Sequence, residues 1–176
     1  MRYLDAVLPE LDLETPLTRK HLERVPMDKL EFKPHERSMT LGWLATFLAI
    51  LPTWGTMTLT TDAFDIAPPG APPPKREIIP STAALLGLFD KNVADLRAAL
   101  TKLREEQFEQ PWSLKAAGNV VFTQPRHLVF RTFFFNHMIH HRAQLGVFLR
   151  LTGVKVPAVY QDSADESGGI FSNDEQ

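Results

Sequence analysis

Apolar residues recur every three or four positions in several long stretches of the chain, and this spacing predicts amphipathic helices. The clearest stretch begins near Ser81 and ends at about Lys102, and its apolar positions are Leu85, Phe89, Val93, Leu96, Leu100 and Leu103. Another helical region runs from about Tyr3 to Val25. Within it, Pro16 either kinks the helix or restarts it, because proline lacks the backbone N–H that a helix interior requires.

A further helix is predicted in the segment TLGWLATFLAILP, where Ser38 or Thr40 caps the first turn and Pro52 stops the helix. The next residues, 55–65, include several threonines and show no helical period, so we expect a non-helical segment with room for a short extended piece. Residues 67–80 are rich in proline and cannot pack as helix or sheet. We therefore expect an exposed loop there, within one domain.

The last predicted helix runs from Pro125 to Leu151, with Pro125 in its first turn and Gly153 as a C-cap. At about 100° per residue, one face collects Phe130, Phe133, Phe134, His137, His141, Gln144, Phe148 and Leu151. A second face is also apolar and carries Leu128, Phe135, Ile139 and Leu149. A helix with two apolar faces needs a packing partner on each, so we expect the bundle core on the first face and another partner on the second.

These helices and the long connections between the second and third and between the third and fourth predict an all-α four-helix bundle. A chain of 176 residues fits one domain, and we assign residues 1–176 to it. Residues 104–124 are expected to be irregular, with a short extended piece. The acidic end, residues 162–176, contains glycine and serine and is expected to be flexible.

The composition excludes several classes of function. A formal net charge of −2 gives no support for a surface that binds nucleic acid or anionic membrane. The chain has no cysteine, which excludes disulfides, thiolate metal sites and a cysteine nucleophile. No apolar run approaches the roughly 20 residues that a membrane span needs. We therefore expect a cytoplasmic protein.

A pair of histidines is the strongest candidate for chemistry. His137 and His141 are four positions apart, so both imidazoles lie on one helix face and can reach a common point. Core histidines that hydrogen-bond with backbone or water show the same spacing, so the spacing alone does not establish a metal site. Met138 stands where the HExxH proteases have glutamate, which excludes their chemistry. His140 is expected to face a helix neighbour or solvent.

Two long segments carry a resemblance to a known family. They are KPHERSMTLGWLATFLAILPTW, which LERVPMDKLEFK precedes, and NHMIHHRAQLGVFLRLTGVKVPAVYQDSADE. Together they resemble the DinB-like family of bacterial proteins, of the DinB and YfiT type, and LTTDAFDIAPPGAPP agrees with it. The resemblance covers nearly the whole chain. It implies a four-helix bundle, commonly a homodimer, of the kind shared with bacterial thiol-dependent S-transferases and a maleylpyruvate isomerase.

The resemblance also implies a metal site that this chain does not complete. In that family three histidines bind a divalent ion, often nickel or zinc. Two of them match His137 and His141, whereas the third matches Phe47, because the chain has LATF where the family pattern has LATH. A phenyl ring has no lone pair for a metal, so we expect little or no tightly bound nickel or zinc. The residues expected to line the pocket are Trp43, Phe47, Phe134, Gln144 and Phe148.

The sequence leaves two functions open. One is a metal-dependent enzyme of the thiol S-transferase type, in which a metal on His137 and His141 activates a thiol or water. The other is a metal-free bundle that binds a small molecule or serves assembly, with a degenerate histidine site. In both cases we expect a homodimer through the second apolar face of the last helix, unless residues 120–122 cover that face.

Overall fold

The computed structural model describes residues 2–72 and 77–166, and helices form most of it. In these residues the α-helices are α1 (Tyr3–Glu23), α2 (Leu41–Ile50), α3 (Pro52–Thr60), α4 (Thr82–Lys102), α5 (Arg126–Val129) and α6 (His137–Leu151). A π-helical segment, Phe130–Asn136, joins α5 to α6, and we call Arg126–Leu151 the final helix. The helix α2 matches the predicted second helix, α3 extends it beyond Pro52 as the same member of the bundle, and the predicted four-helix bundle is confirmed.

The helix α4 supplies the centre of the core. Ser81 caps it, because its hydroxyl accepts a hydrogen bond from the backbone N–H of Ala84 at 3.3 Å. The predicted apolar stripe is buried at Leu85, Phe89, Leu96 and Leu100. Val93 is only half-buried. This stripe packs against α1, α2 and α3, and α2 also packs against α6.

The first helix is continuous through both of its prolines. Pro9 and Pro16 lie inside α1, so the helix does not restart at Pro16. Both prolines are on the exposed side, where water can satisfy the carbonyl groups that their missing N–H groups leave free. The buried side of α1 therefore keeps its regular helical spacing.

The prediction of a non-helical segment from residue 55 was wrong, because α3 extends to Thr60. The threonine hydroxyls are satisfied within the helix, because they donate to carbonyl groups four residues earlier, as Thr58 does to Trp54 at 2.8 Å and Thr60 does to Thr56 at 2.8 Å. Gly55 permits the close packing, since a Cβ atom there would lie 2.8 Å from Leu96 Cδ1. The short extended piece comes after α3, at residues 63–65.

A small sheet flanks the bundle and was only partly predicted. Its strands are β1 (Ala63–Asp65), β2 (Pro111–Ala116) and β3 (Asn119–Pro125), with β1 parallel and β3 antiparallel to β2. Ala117 (φ 50°) and Gly118 (φ 81°) form the two-residue turn between β2 and β3, where hairpin twist favours positive φ. Pro125 thus ends a strand, and the helix begins at Arg126.

The buried face of the final helix differs from the predicted one. Leu151, expected in the core, is 56% exposed, whereas Phe135 and Leu149, expected on the second face, are fully buried within this chain. One reason is the π-helical segment, since a π turn takes one residue more than an α turn and rotates the faces of all later residues in the helix. Leu128, at 39% exposure, and the half-buried Ile139 remain accessible on the predicted second face.

The predicted loop and tail are partly described. Residues 67–72 and 77–80 form neither helix nor strand, and residues 73–76 and 167–176 lie outside the described part. The first residues of the predicted tail are bonded to the chain before them: Ser163 donates to the Val156 carbonyl at 2.8 Å, and Glu166 accepts from the Ala158 N–H at 2.8 Å. In the described ranges, no helix has the length and apolar character needed to cross a membrane.

Candidate functional site

Three aromatic side chains of α2 and α3 form one wall of the candidate site. Thr40 caps α2 by accepting a hydrogen bond from the backbone N–H of Trp43 at 3.1 Å. Trp43 and Phe47 are one turn apart on α2, and Trp54 lies on α3. All three are half-buried, because the neighbouring leucines of both helices take the core side. This wall is therefore open to solvent along its edge.

The final helix supplies the opposite wall. Phe133, His137 and Gln144 are half-buried, while His141 is 6% exposed. Phe133 belongs to the π-helical segment, and the histidines lie in the first two turns of α6. Because α2 packs against α6, the two half-buried stripes face each other.

Phe47 lies at the centre of this cluster. Its ring centroid is 5.4 Å from that of His137 and 5.1 Å from that of His141, and the two imidazole centroids are 4.6 Å apart. The Trp54 ring centroid is 5.7 Å from that of Phe47 and 5.9 Å from that of His137. Trp54 also stacks on Phe133, with centroids 6.0 Å apart. The phenyl ring thus presents an apolar surface to both imidazoles.

A hydrogen bond orients the His141 imidazole, whose Nδ1 lies 2.7 Å from Gln144 Oε1. An amide oxygen only accepts, so Nδ1 is the donor and Nε2 of His141 carries the lone pair. Burial lowers the pKa of both histidines from the ordinary value. At neutral pH the site therefore offers two uncharged hydrogen-bond acceptors.

The residues present do not fit a complete metal site. With metal–nitrogen bonds of about 2.0–2.1 Å, three imidazoles around a tetrahedral ion have centroids about 5 Å apart. The rings of Phe47, His137 and His141 have a similar spacing, but the phenyl ring of Phe47 cannot coordinate. Within residues 2–72 and 77–166, no three His, Cys, Asp or Glu side chains are grouped closely enough to hold a metal ion.

The residues predicted to line the pocket lie in two regions. Trp43, Phe47 and Gln144 belong to the cluster around the histidines. Phe134 is fully buried in the main core, where it packs against Phe130 and Phe135. Phe148 contacts Phe32 edge-on at 6.1 Å.

One further ring borders the cluster, and two of the cluster's own rings were not predicted. His140 is exposed, as expected, although its ring contacts that of His141 at 4.9 Å. Trp54 and Phe133 were not among the predicted pocket residues. The sequence positions of both residues indicated that they belong to the site, because Trp54 continues the stripe of Trp43 and Phe47, and Phe133 precedes His137 by one turn.

Comparisons with known proteins identify the family. The model of the DinB family matches residues 8–170. A DinB-like protein from Bacillus cereus ATCC 10987 has a similar structure, with a TM-score of 0.64 and 22% identity over 87% of this chain and 95% of that one. A DinB-like protein from Bacillus subtilis gives 0.62 and 18% over 86% and 94%, and no curated protein matches. Because the family model matches far more than half of this chain, the chain belongs to the DinB family.

Proposed function

We propose that this DinB-family protein binds a small organic molecule, and not a firmly held metal ion, at the cluster around His137 and His141. The observation that carries the proposal is the position of the Phe47 ring, 5.4 and 5.1 Å from the two imidazole centroids. A non-coordinating ring fills the place of the third ligand there. The resulting function is binding or assembly without metal catalysis.

The chemistry of the cluster favours a flat molecule with one hydrogen-bond donor. Half-buried rings from Trp43, Trp54 and Phe133 offer apolar faces for stacking. Each of the two neutral imidazoles offers one acceptor nitrogen. A cavity of about 250 Å³, lined in part by Thr40 and Trp43, adjoins the cluster at the start of α2.

A metal-dependent enzyme of the thiol S-transferase type is the competing proposal, and one observation favours it. The bond of His141 to Gln144 is of the kind that orients metal-binding histidines. It leaves a lone pair on Nε2 of His141. The two proposals differ in the metal content that they require.

We expect the protein, purified without a polyhistidine tag and dialysed against a chelator, to retain far less than one equivalent of nickel or zinc. Two imidazoles supply fewer protein ligands than the three or four that zinc sites use. Elemental analysis by mass spectrometry measures the content directly. One equivalent of metal that survives dialysis would contradict the proposal and favour the enzyme.

We expect indole to bind the metal-free protein at this cluster, and Trp54→Ala to weaken binding about two- to tenfold, because one aromatic contact contributes about 0.5–1.5 kcal/mol. Isothermal titration calorimetry measures the affinity. Phe64, an exposed aromatic residue of β1, provides the control variant Phe64→Ala, which should bind as the unmodified protein does. Equal losses in both variants, or no binding at all, would reject the proposed ligand class.

The homodimer stays a prediction, with a smaller set of contacts. Phe135 and Leu149 are buried within the chain, which leaves Leu128 and Ile139 from the predicted set. We expect light scattering at about 50 µM to give the mass of two chains, and Leu128→Lys to shift the population toward monomer. A single-chain mass for the unmodified protein would end this prediction.

A further inference from the structure

A second cavity, on another face of α6, is not part of the cluster around Phe47. It has a volume of about 370 Å³ and lies between α1, α6 and the segment after α6. Gly146 leaves it open, since a Cβ atom there would lie 3.5 Å from Val156 Cγ1. Val147 and Leu151, each more than half exposed, border it. The lining is thus mainly aliphatic.

His21 is the buried polar group of this cavity. The residue is 2% exposed, and its Nδ1 lies 2.8 Å from the Leu17 carbonyl oxygen. Because that oxygen can only accept, Nδ1 is the donor and Nε2 carries the lone pair. Nε2 is directed at Gly146, 3.7 Å from the position that a Cβ atom would take. Burial lowers the pKa of His21, which keeps the ring neutral at neutral pH.

The one charged residue that lines the cavity in the described part of the chain already has a partner. Arg150 donates to Asp165 Oδ2 at 2.6 Å, and the Val156 N–H donates to the same oxygen at 2.9 Å. An anionic ligand would have to compete with this carboxylate. The cavity therefore favours a neutral molecule that is aliphatic over most of its surface and donates one hydrogen bond.

We propose that this cavity binds a small aliphatic alcohol, whose hydroxyl donates to His21 Nε2 while its hydrocarbon part packs against Gly146, Val147 and Val156. The site is independent of the cluster around His137 and His141. A ketone of the same shape can accept a hydrogen bond but cannot donate one, so it lacks the interaction that His21 offers. This difference separates recognition of the alcohol from simple filling of an apolar space.

The test titrates cyclohexanol and cyclohexanone into the full-length protein and follows backbone amide shifts by ¹H–¹⁵N NMR. We expect shifts centred on Ala143, Gly146 and Val147, with cyclohexanol about two- to tenfold tighter, the difference that one net hydrogen bond makes. Gly146→Ala should remove this preference, because the new methyl group covers Nε2 at ordinary van der Waals distance without a clash. Gly87→Ala is the matched control, since Gly87 lies in α4 with open space around it, and it should keep the preference.

Several results would overturn the proposal. They are equal affinity for the two probes, a preference that survives Gly146→Ala, and shifts centred on His137 instead of Gly146. A fourth is failure of the unmodified protein to bind cyclohexanol while Leu151→Lys dissociates a dimer, because the cavity would then belong to an interface between two copies. Loss of the preference in Gly87→Ala would overturn it as well, since that change leaves the cavity intact.

Discussion

Phe47→His is expected to raise the affinity for nickel or zinc by at least about 10- to 100-fold. Losing a residue that only supports a metal ligand costs this much, and a direct ligand should count for at least as much. The phenyl ring already lies 5.4 and 5.1 Å from the two imidazole centroids, so an imidazole on the same backbone position completes the set. Competition titration against a chromophoric chelator measures the change.

Two further variants decide whether the gained affinity comes from the proposed site. His141→Ala in the Phe47→His protein should abolish the gain, whereas His140→Ala, which removes an exposed neighbouring imidazole, should leave most of it. Metals bind the neutral imidazole, so the gain should decline as pH falls through the lowered pKa values of His137 and His141. An unmodified protein that binds metal as tightly as the variant would refute the interpretation of Phe47.

The helices that hydrophobic spacing predicts well are those whose buried face is mainly apolar. In α4, the stripe from Leu85 to Leu100 and the cap at Ser81 agree with the structure because local preference and tertiary packing coincide. The helix α3 shows the opposite case. Glycine and threonine there disfavour a helix locally, and tertiary packing, such as that of Gly55 against α4 and Phe134, makes the helical course favourable. Contacts between α3 and distant segments cannot be inferred from the sequence of α3 alone.

The site could be predicted in part from the spacing of its residues. A separation of four positions brings His137 and His141 together on any helix, and the resemblance to the DinB family placed Phe47 beside them. The separation of Phe134 from this group could not be predicted, since the residue spacing before His137 does not distinguish a π-helical segment from an α-helix. One extra residue in a turn moves Phe134 to the core and leaves Phe133 at the site.

A buried charge also displaced the predicted face of the final helix. Glu14 and Arg142 are charged, and the charge of each residue taken alone suggests an exposed position. Glu14 nevertheless stands within the apolar stripe of α1, and Arg142 comes directly after His141. The structure instead pairs them across the bundle with side chains 7% and 3% exposed. The signal for Glu14 was its place between Leu11 and Thr18 on the buried side of α1, but its partner on α6 is 128 positions away.

Arg142→Met is expected to lower the free energy of unfolding by about 3–5 kcal/mol, because it leaves the carboxylate of Glu14 buried without its cation. Arg142 Nη1 donates to Glu14 Oε2 at 2.5 Å, and Nη2 donates to the Tyr160 hydroxyl at 2.9 Å. That hydroxyl donates to Glu14 Oε1 at 2.6 Å. Removing the guanidinium therefore breaks a closed network. Urea denaturation followed by circular dichroism measures the loss.

An exposed ion pair and a double substitution separate burial from loss of charge. Arg97 pairs with Asp12 with side chains 46% and 57% exposed, so Arg97→Met should cost no more than about 1 kcal/mol. Replacing both Glu14 and Arg142 with methionine should restore much of the stability that Arg142→Met loses, because no unpaired charge remains in the core. If Arg142→Met costs no more than Arg97→Met, or if the double substitution is as unstable as the sum of the single ones, the pair does not act as a buried, mutually dependent unit.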